Sequence, residues 1–477
     1  MATMRRAIFT ITGVALYFGV VFGLAFGSFL WSLRGGIDEP IIVHTADQLT
    51  EPPVQVAPAR SFNQSPELPA PATAAPVPDQ DPNIFFVSPN LGDENNDGQT
   101  ADSPWQSLHN AIWKLQPGQT LLLMDGEYAE QAAPDYAHYQ VSVNGTPDAW
   151  IRIGAAPGHQ PVLTPSSGNA IEVQGAYIEL SGLTIRGHSY NEENSYGWGV
   201  IIRDTHHVRI QEMTISNMPV GGISGVGSSN IEIYRNEVFE NSFWGTEQGS
   251  GISLWSSKNH GYGPSEDGYH DKIIGNIAYR NENKVYSRWS PNRKIKTDGN
   301  GIIIDETNEN HYKGKFLIAN NVLFDNGGRA VITNLAANID IVYNTTYGNG
   351  RTPDLAGGAV EIAAVRSQNV RILNNIAWAL PNLPALAVKE MSGLTIGGNV
   401  FVTDKPTGHE TGDDIVTPGP IGLRAPNIDP TVADFRPTAD SVVIDRALAA
   451  AVTLGFDADG NPRTGTGADI GAYEYTP

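Results

Sequence analysis

Four segments of the chain share one eleven-residue pattern: IEIYRNEVFEN at 231, DKIIGNIAYRN at 271, FLIANNVLFDN at 316 and IDIVYNTTYGN at 339. Each has asparagine at its sixth and eleventh positions, giving Asn236 and Asn241, Asn276 and Asn281, Asn321 and Asn326, and Asn344 and Asn349. VRILNNIAWAL at 370 and LTIGGNVFV at 394 keep the first of these, as Asn375 and Asn399. The earlier segments IELSGLTIRG and VRIQEMTISN keep the apolar alternation without that asparagine. Short alternating runs that return at a minimum spacing of 23 residues are strands of a solenoid, each stacked on its equivalent in the next coil. The pattern predicts an all-β, right-handed parallel β-helix. Equivalent turn residues then lie about 4.8 Å apart, so the asparagine amides are expected to bond to one another and to turn backbone.

A solenoid needs its open end covered, or strands of other chains could add to it. DSPWQSLHNAIWKLQPG, from Asp102, predicts a capping helix with Ser103 as N-cap, Pro104 in the first turn, Gln106 closing a capping box, and Trp105, Leu108, Ile112 and Leu115 on one face. Pro117 and Gly118 end it. Upstream, DENNDG from Asp93 to Gly98 has oxygens spaced as at the start of a calcium loop, but Pro104 stands where the bidentate acid belongs.

The ends of the chain differ from this middle. Arg5 and Arg6 precede an uncharged apolar run from Ala7 to Leu33, long enough to span a bilayer. Residues 1–35 are therefore expected to form a cytoplasmic arginine pair and a transmembrane signal-anchor, with the remainder on the extracytoplasmic face, or secreted if the segment is cleaved. Residues 36–82, rich in Pro and Ala, cannot bury enough apolar surface to fold and are expected to be a disordered linker. That leaves 83–477 for the β-helix. With 51 acidic against 30 basic residues, the net charge of -21 argues against nucleic acid as a partner. The absence of cysteine excludes disulfides, thiolate nucleophiles and zinc–thiolate sites.

FFVSPNLGDENNDGQTADSPWQSLHNAIWKLQPGQTLLLMDGEY resembles the N-terminal signature of secreted β-helix proteins of the pectate-lyase-like superfamily. GFDADGNPRTGTGADIGAYEY, from Gly455, resembles a C-terminal motif common in bacterial surface β-helix proteins. The resemblance implies the fold and leaves lyases, hydrolases, epimerases and noncatalytic modules open. The Asp-rich calcium motif of the family-nine pectate lyases and the Asp-Pro-His-Glu motif of the mannuronan epimerases are not matched.

The coil spacing shows where function can be built. Asn236 to Asn276 spans 40 residues and Asn276 to Asn321 spans 45, so two consecutive coils carry about 17 and 22 residues beyond the minimum. The inserted pieces SSKNHGYGPSEDGYH, ENKVYSRWSPNRKIKT and TNENHYKGK are rich in aromatic and basic residues, and HSYNEENSYGWG lies two coils earlier. Aromatic faces among polar groups suit sugar rings. Trp255, Tyr262 and Trp289 are candidate sugar contacts, with packing of loops onto the helix as the alternative reading.

Alignment of GSGISLW, GNGIIID and GRAVITN places Gly251, Gly301 and Ala330 side by side and flanks Asp305 with Trp255 and Asn334. On one extended strand Asp298 and Asp305 would stand roughly 23 Å apart, beyond the ~9.5 Å limit of a glycosidase pair. In the same register Asp298 lies next to Gln248, Lys296 beside Asp325, and Arg329 one coil from Asn300. A mixed-charge edge of this kind suits a lyase acting on a uronic-acid polysaccharide. Glu247, Asp298 and Asp325 would hold calcium, Lys296 or Arg329 would take the C5 proton, and Asn300 and Asp305 would contact the sugar. A hydrolase using Glu247 and Asp298, a noncatalytic glycan- or protein-binding module, and a structural salt-bridge network are the alternatives.

Overall fold

In the computed structural model the described residues are 81–477, apart from 130–136, 188–195, 261–267, 291, 450, 451, 453 and 464–466. The expected anchor, nearly all of the linker and Tyr262 lie outside them. Among the described residues no helix is long and apolar enough to cross a membrane.

The chain folds as a right-handed parallel β-helix, whose described residues form three sheets with eleven, nine and eleven strands, followed by a two-stranded antiparallel pair. Away from the two ends each coil contributes one strand to each sheet. One coil, for example, places Gly221–Val226 in the second sheet, Ser229–Tyr234 in the first and Glu237–Phe239 in the third. Inward positions are mostly aliphatic, with Tyr139, Phe316 and Phe401 among them. Val200, Ile223, Ile252, Ile302, Val331, Ile362 and Leu386 form one fully buried row across the second sheet.

Both asparagine ladders form. In the first, the side-chain carbonyl of Asn276 accepts the backbone N–H of Asn236 at 3.0 Å and its amide at 2.9 Å. The same double bond repeats through Asn321, Asn344, Asn375 and Asn399 and ends on Asp414. The second runs Asn241, Asn281, Asn326, Asn349 and ends on Glu361, whose two carboxylate oxygens take the Asn349 backbone and side-chain N–H groups. Every rung is fully buried or nearly so. Each therefore satisfies donors that would otherwise cost about 1–3 kcal/mol apiece. In the coils before the ladders the equivalent positions hold apolar Met213 and Met218, whose backbone N–H groups bond to the first rungs, Asn236 and Asn241.

The glycines of GSG and GNG have their explanation here. Gly251 and Gly301 stand at the start of second-sheet strands, where an added Cβ would meet the Asn281 amide at 2.8 Å and the Asn326 amide at 3.3 Å. Glu361 occupies the equivalent position once the ladder stops, since Val331 pairs with Ile362. The missing side chain gives the amides room, and the present one terminates them.

The capping helix is shorter than expected. It spans Leu108–Lys114, with Ser107 rather than Ser103 as N-cap, its hydroxyl accepting from Asn110. Trp105 is extended, exchanging backbone bonds with Phe86 and Ser88 and stacking on Phe85 at 4.8 Å. Backbone committed to a strand pairing cannot start a helix, so the first turn moves to Ser107. Leu108, Ala111 and Ile112 still enter the core.

The first sheet carries an outward ion ladder that the sequence reading missed. Arg152, Glu179, Arg209, Glu232 and Lys272 hold equivalent positions in successive coils. Arg209 bridges Glu179 at 3.0 Å and Glu232 at 2.7 Å, and Lys272 reaches Glu232 at 2.9 Å. The C-terminal segment packs Ile421, Phe435, Val443, Ile470 and Tyr473 against Val322, Phe324, Ile376 and Val400 of the third sheet. Its Arg463 is buried, paired with Glu474 and bonded to Asn320 at 2.9 Å.

Candidate functional site

Long connections border the second sheet on both sides. Residues 240–251 and 280–301 enter it from the third sheet, and 256–270 and 306–315 leave it for the first. Connections on one side brace each other across coils. Gln248 donates to the Val285 carbonyl at 3.1 Å, Arg288 N–H to the Thr246 carbonyl at 3.1 Å, and Thr297 N–H to the Gln248 side chain at 3.0 Å. On the other side Asn310 donates to the Ser256 carbonyl at 2.6 Å and Asn259 to the His311 carbonyl at 3.1 Å.

Between them, two outward rows of the sheet differ in access. Ile201, Ser224, Ser253, Ile303, Ile332, Ala363 and Ala387 are buried. The next row, Arg203, Val226, Trp255, Asp305, Asn334, Val365 and Lys389, is partly exposed in every coil. It makes a strip along the solenoid axis with one residue about every 4.8 Å. At its centre Asn334 donates to Asp305 at 2.7 Å and accepts from Arg366 at 3.0 Å, with Trp255 alongside. At its N-terminal end Arg203 pairs with Glu172 at 3.4 Å and reaches the Tyr196 hydroxyl at 3.4 Å, and Tyr196 packs edge-on against Trp198. These last residues were not singled out from the sequence as a set; the signal was that Tyr196 and Trp198 belong to the HSYNEENSYGWG insertion, with Arg203 just after it.

A denser network sits at the corner where 280–301 joins the sheet. Asp298 accepts from the Thr297 hydroxyl at 2.8 Å and the Asn300 amide at 2.9 Å, and Asn300 also donates to the Ser250 hydroxyl at 3.0 Å. Arg329, 4 % exposed, gives its backbone N–H to Asn300 at 2.8 Å and its guanidinium to the Thr297 carbonyl at 3.1 Å. Burial raises the Asp298 carboxyl to about 6, against the opposing pull of its hydrogen bond from Thr297 and the Arg329 charge. Burial likewise lowers Arg329 to about 10. Asp305 is pushed well above the ordinary carboxylate range, by burial first and then by the charges of Glu306 and Asp298. Opposed shifts of this kind mark functional sites more often than ordinary surface.

The expected register holds at Trp255, Asp305 and Asn334, and at Asn300 and Arg329. Two expectations about placement are corrected. Lys296 does not lie beside Asp325: it bridges to Leu355, and its ammonium sits 5.7 Å over the Tyr286 ring. Asp298 is not part of an extended strand with Asp305, because only Ile302–Asp305 is strand and the left-handed Gly299 (φ +79) turns the chain between them. The extended-chain separation does not apply to the pair. Trp289 stands in the inserted connection with the Arg288 guanidinium 4.4 Å over its ring.

Glu247, Asp298 and Asp325 do not converge. Glu247 pairs with Arg288 at 2.8 Å, Asp298 is held as above, and Asp325 lies between Arg280 and Arg351. Among the described residues no three acidic or histidine side chains form a group able to hold a metal ion. The three carboxylates named from the sequence thus do not fit a shared calcium, and no step below is routed through one.

No curated protein matches the sequence. Among solved structures, pectate lyase Pel9A is similar with a TM-score of 0.50 at 18 % identity, over 82 % of this chain and 96 % of that one. XylC in complex with xylose gives 0.47 at 9 % identity over 82 % and 98 %. The GH136 lacto-N-biosidase from Eubacterium ramulus gives 0.43 at 16 % identity over 66 % and 55 %. At these identities the likeness is one of fold. A family profile described as Pel9A-like, right handed beta helix region, matches residues 85–362. With over half of its length matched, the chain belongs to the Pel9A-like right-handed β-helix family.

Proposed function

We propose that the protein cleaves a uronic-acid-containing polysaccharide by β-elimination on the exposed strip of the second sheet, outside the cytoplasm, held at a membrane by residues 7–33. The observation that carries this reading is the Asp298–Arg329 pair, oppositely shifted by burial at the corner that borders the strip. Elimination requires a cation against the sugar carboxylate, which acidifies the neighbouring C5 proton, and a base to take that proton before the O4 bond breaks. Arg329, 4 % exposed, would supply that charge from beneath the corner and not by direct contact, and a guanidinium is not a practical proton acceptor. Lys296, partly exposed in the same connection, is the proton acceptor in this scheme. Trp255, Asp305 and Asn334 would orient the chain, with Trp289 and Tyr262 as further ring contacts, whereas Asn300, 0 % exposed, is held by Ser250, Asp298 and the Arg329 backbone and does not meet the sugar.

One observation favours hydrolysis instead. A carboxyl raised to about 6, whose charge acts on a second raised carboxyl at Asp305, is the pattern of an acid and its partner. Incubation with uronate and neutral polysaccharides, with and without calcium, separates the readings. Ultraviolet absorbance of an unsaturated uronate, lost in Lys296→Ala, supports elimination, and a calcium requirement would add an ion to the scheme. New reducing ends without that absorbance replace it with hydrolysis. Saturable binding with neither product replaces both with a noncatalytic glycan-binding module.

A further inference from the structure

Where the second sheet turns into the first, His206 and His207 open the strand His206–Gln211, just past Arg203 at the end of the strip. Side chains of consecutive strand residues ordinarily point to opposite faces. His207 is left-handed, with φ of 55°, and that turn brings both imidazoles together, their Nδ1 atoms 2.8 Å apart. The turn itself belongs to the fold. Tyr177, Asn230, Asn338 and Asn369 have φ of 57°, 54°, 61° and 51° at the equivalent place in other coils. The pair of imidazoles is particular to this coil.

Neighbouring rings hold the pair in place. His207 stacks on Tyr177 with centroids 4.7 Å apart, while His206 meets the same phenol edge-on at 5.4 Å. His260 approaches from a connection two coils on, its ring 5.8 Å from that of His206. Its Nε2 lies 2.7 Å from the Gly227 carbonyl, which can only accept, so Nε2 carries the proton and Nδ1 the lone pair. Burial first, then the charges of His207 and His260, lower His206 to about 4. Burial lowers His207 too, against the opposing pull of Glu232. Both rings are therefore neutral near pH 7, the form that binds a metal ion. In the present contact one Nδ1 donates to the other. A cation would replace that hydrogen, with each ring then carrying its proton on Nε2.

We infer that His206 and His207 form a two-imidazole site for a divalent transition metal of the copper(II) type. At the ~2.0–2.1 Å of a metal–imidazole bond, donors 2.8 Å apart subtend about 86° at the ion. Rotation of the two rings about χ2 aims both lone pairs at one point beside the present hydrogen bond. A square-planar or tetragonal ion, copper(II) or nickel(II), takes ligands near that angle, and copper(II) binds more tightly of the two. Tetrahedral zinc would need the nitrogens roughly 3.3 Å apart. Calcium and magnesium select oxygen donors and are not served by this pair. Among the described residues no three acidic or histidine side chains form a group able to hold a metal ion, so the remaining positions on the ion fall to water. The net charge of -21 favours the approach of any cation. The site lies around the corner from the strip and stands whether or not a polysaccharide is cleaved there.

The test is titration of the full-length protein with copper(II) near pH 7, followed by calorimetry and by electron paramagnetic resonance. One tightly held ion per chain is expected, with hyperfine splitting from two imidazole nitrogens and with affinity falling from copper(II) to nickel(II) to zinc(II). His207→Asn should weaken copper binding roughly tenfold or more and leave the splitting of one nitrogen. Asparagine holds the same left-handed place at 230, 338 and 369, so the coil is kept. His206→Gln should act in the same way, and circular dichroism should match the parent in both. His260→Ala should retain two nitrogens. Copper affinity unchanged in His206→Gln or in His207→Asn overturns the inference, as does a parent spectrum without two-nitrogen splitting. Zinc bound as tightly as copper overturns it, because the spacing of the pair would then not select the ion. Loss of a nitrogen in His260→Ala also overturns it, because the ligands would then not be the adjacent pair.

Discussion

Replacing Glu361 by glutamine is expected to stabilise the protein at alkaline pH and leave it nearly unchanged at acid pH. Glu361 is 0 % exposed, and burial raises its carboxyl from 4.5 to about 7 despite the hydrogen bonds from Asn349. Between those two values the folded chain holds a proton that the unfolded chain has released. Unfolding therefore loses that proton, and stability falls as pH rises through the window. Above about 7 both states are ionised and the full penalty is present, ~3 kcal/mol at about 1.4 kcal/mol per pH unit. Glutamine carries no such penalty. Its carbonyl can accept both Asn349 donors, as one asparagine oxygen does at every other rung, and its amide takes the place of the acid's proton. Guanidinium denaturation followed by tryptophan fluorescence at pH 5 and pH 8 should show a glutamine advantage that grows by several tenths of molar in midpoint, given the large slope of a chain this size. The comparison is between variant and parent because Asp271 and Asp298, raised to about 7 and about 6, tilt the parent's own pH profile in the same direction. An advantage equal at both pH values, or a glutamine variant weaker at pH 8, would refute the assignment of a buried, penalised carboxylate.

Other substitutions probe other parts of the fold. Asn276→Ala leaves the Asn236 backbone and side-chain donors without acceptors, so a loss of about 2–6 kcal/mol is expected in denaturant unfolding. Gly222→Ala places a Cβ 2.2 Å from a Val238 methyl and 2.6 Å from the Gly251 carbonyl, and overpacking of this kind should lower stability by roughly 1–3 kcal/mol. Glu474→Gln removes the charge partner of an Arg463 side chain that is 2 % exposed, which should cost about 3–5 kcal/mol and speed proteolysis of the C-terminal segment before the coils are cut. Arg329→Ala should abolish polymer cleavage while circular dichroism remains that of the parent.

Much of this was readable from spacing alone. The asparagines fix each coil's position, and apolar alternation fixes which side chains face inward, so Trp255, Asp305 and Asn334 could be aligned without a structure. Lys296 could not, because it belongs to a connection that leaves the sheet and returns through a left-handed glycine, and no periodicity survives such a path. The N-cap was misplaced because Trp105 joins a strand through contacts with residues 86 and 88 that local helical spacing does not encode. The ion ladder of the first sheet was present in plain sight as the second residue of IRI, IEL, VRI and IEI, alternating in sign from coil to coil. It was passed over because the cross-coil alignment of charges was drawn for the second sheet alone. The ion pairs of Asp325 join residues 280, 325 and 351, and only the closed coils bring them together.

The asparagine ladders also have a direction. At every rung one amide N–H reaches the next coil's asparagine, the other bonds to a strand carbonyl of the preceding coil, and the side-chain carbonyl faces back, so the rows share one direction along the axis. Each row is thus electrically polar, positive at its C-terminal end, and each meets a carboxylate there, Asp414 in one and Glu361 in the other. A coil inserted within a row preserves that polarity if it brings its own asparagine. A row cut short before its last acceptor would leave buried donors facing nothing, so shortened solenoids of this chain should need a new acceptor side chain, acid or amide, at the cut.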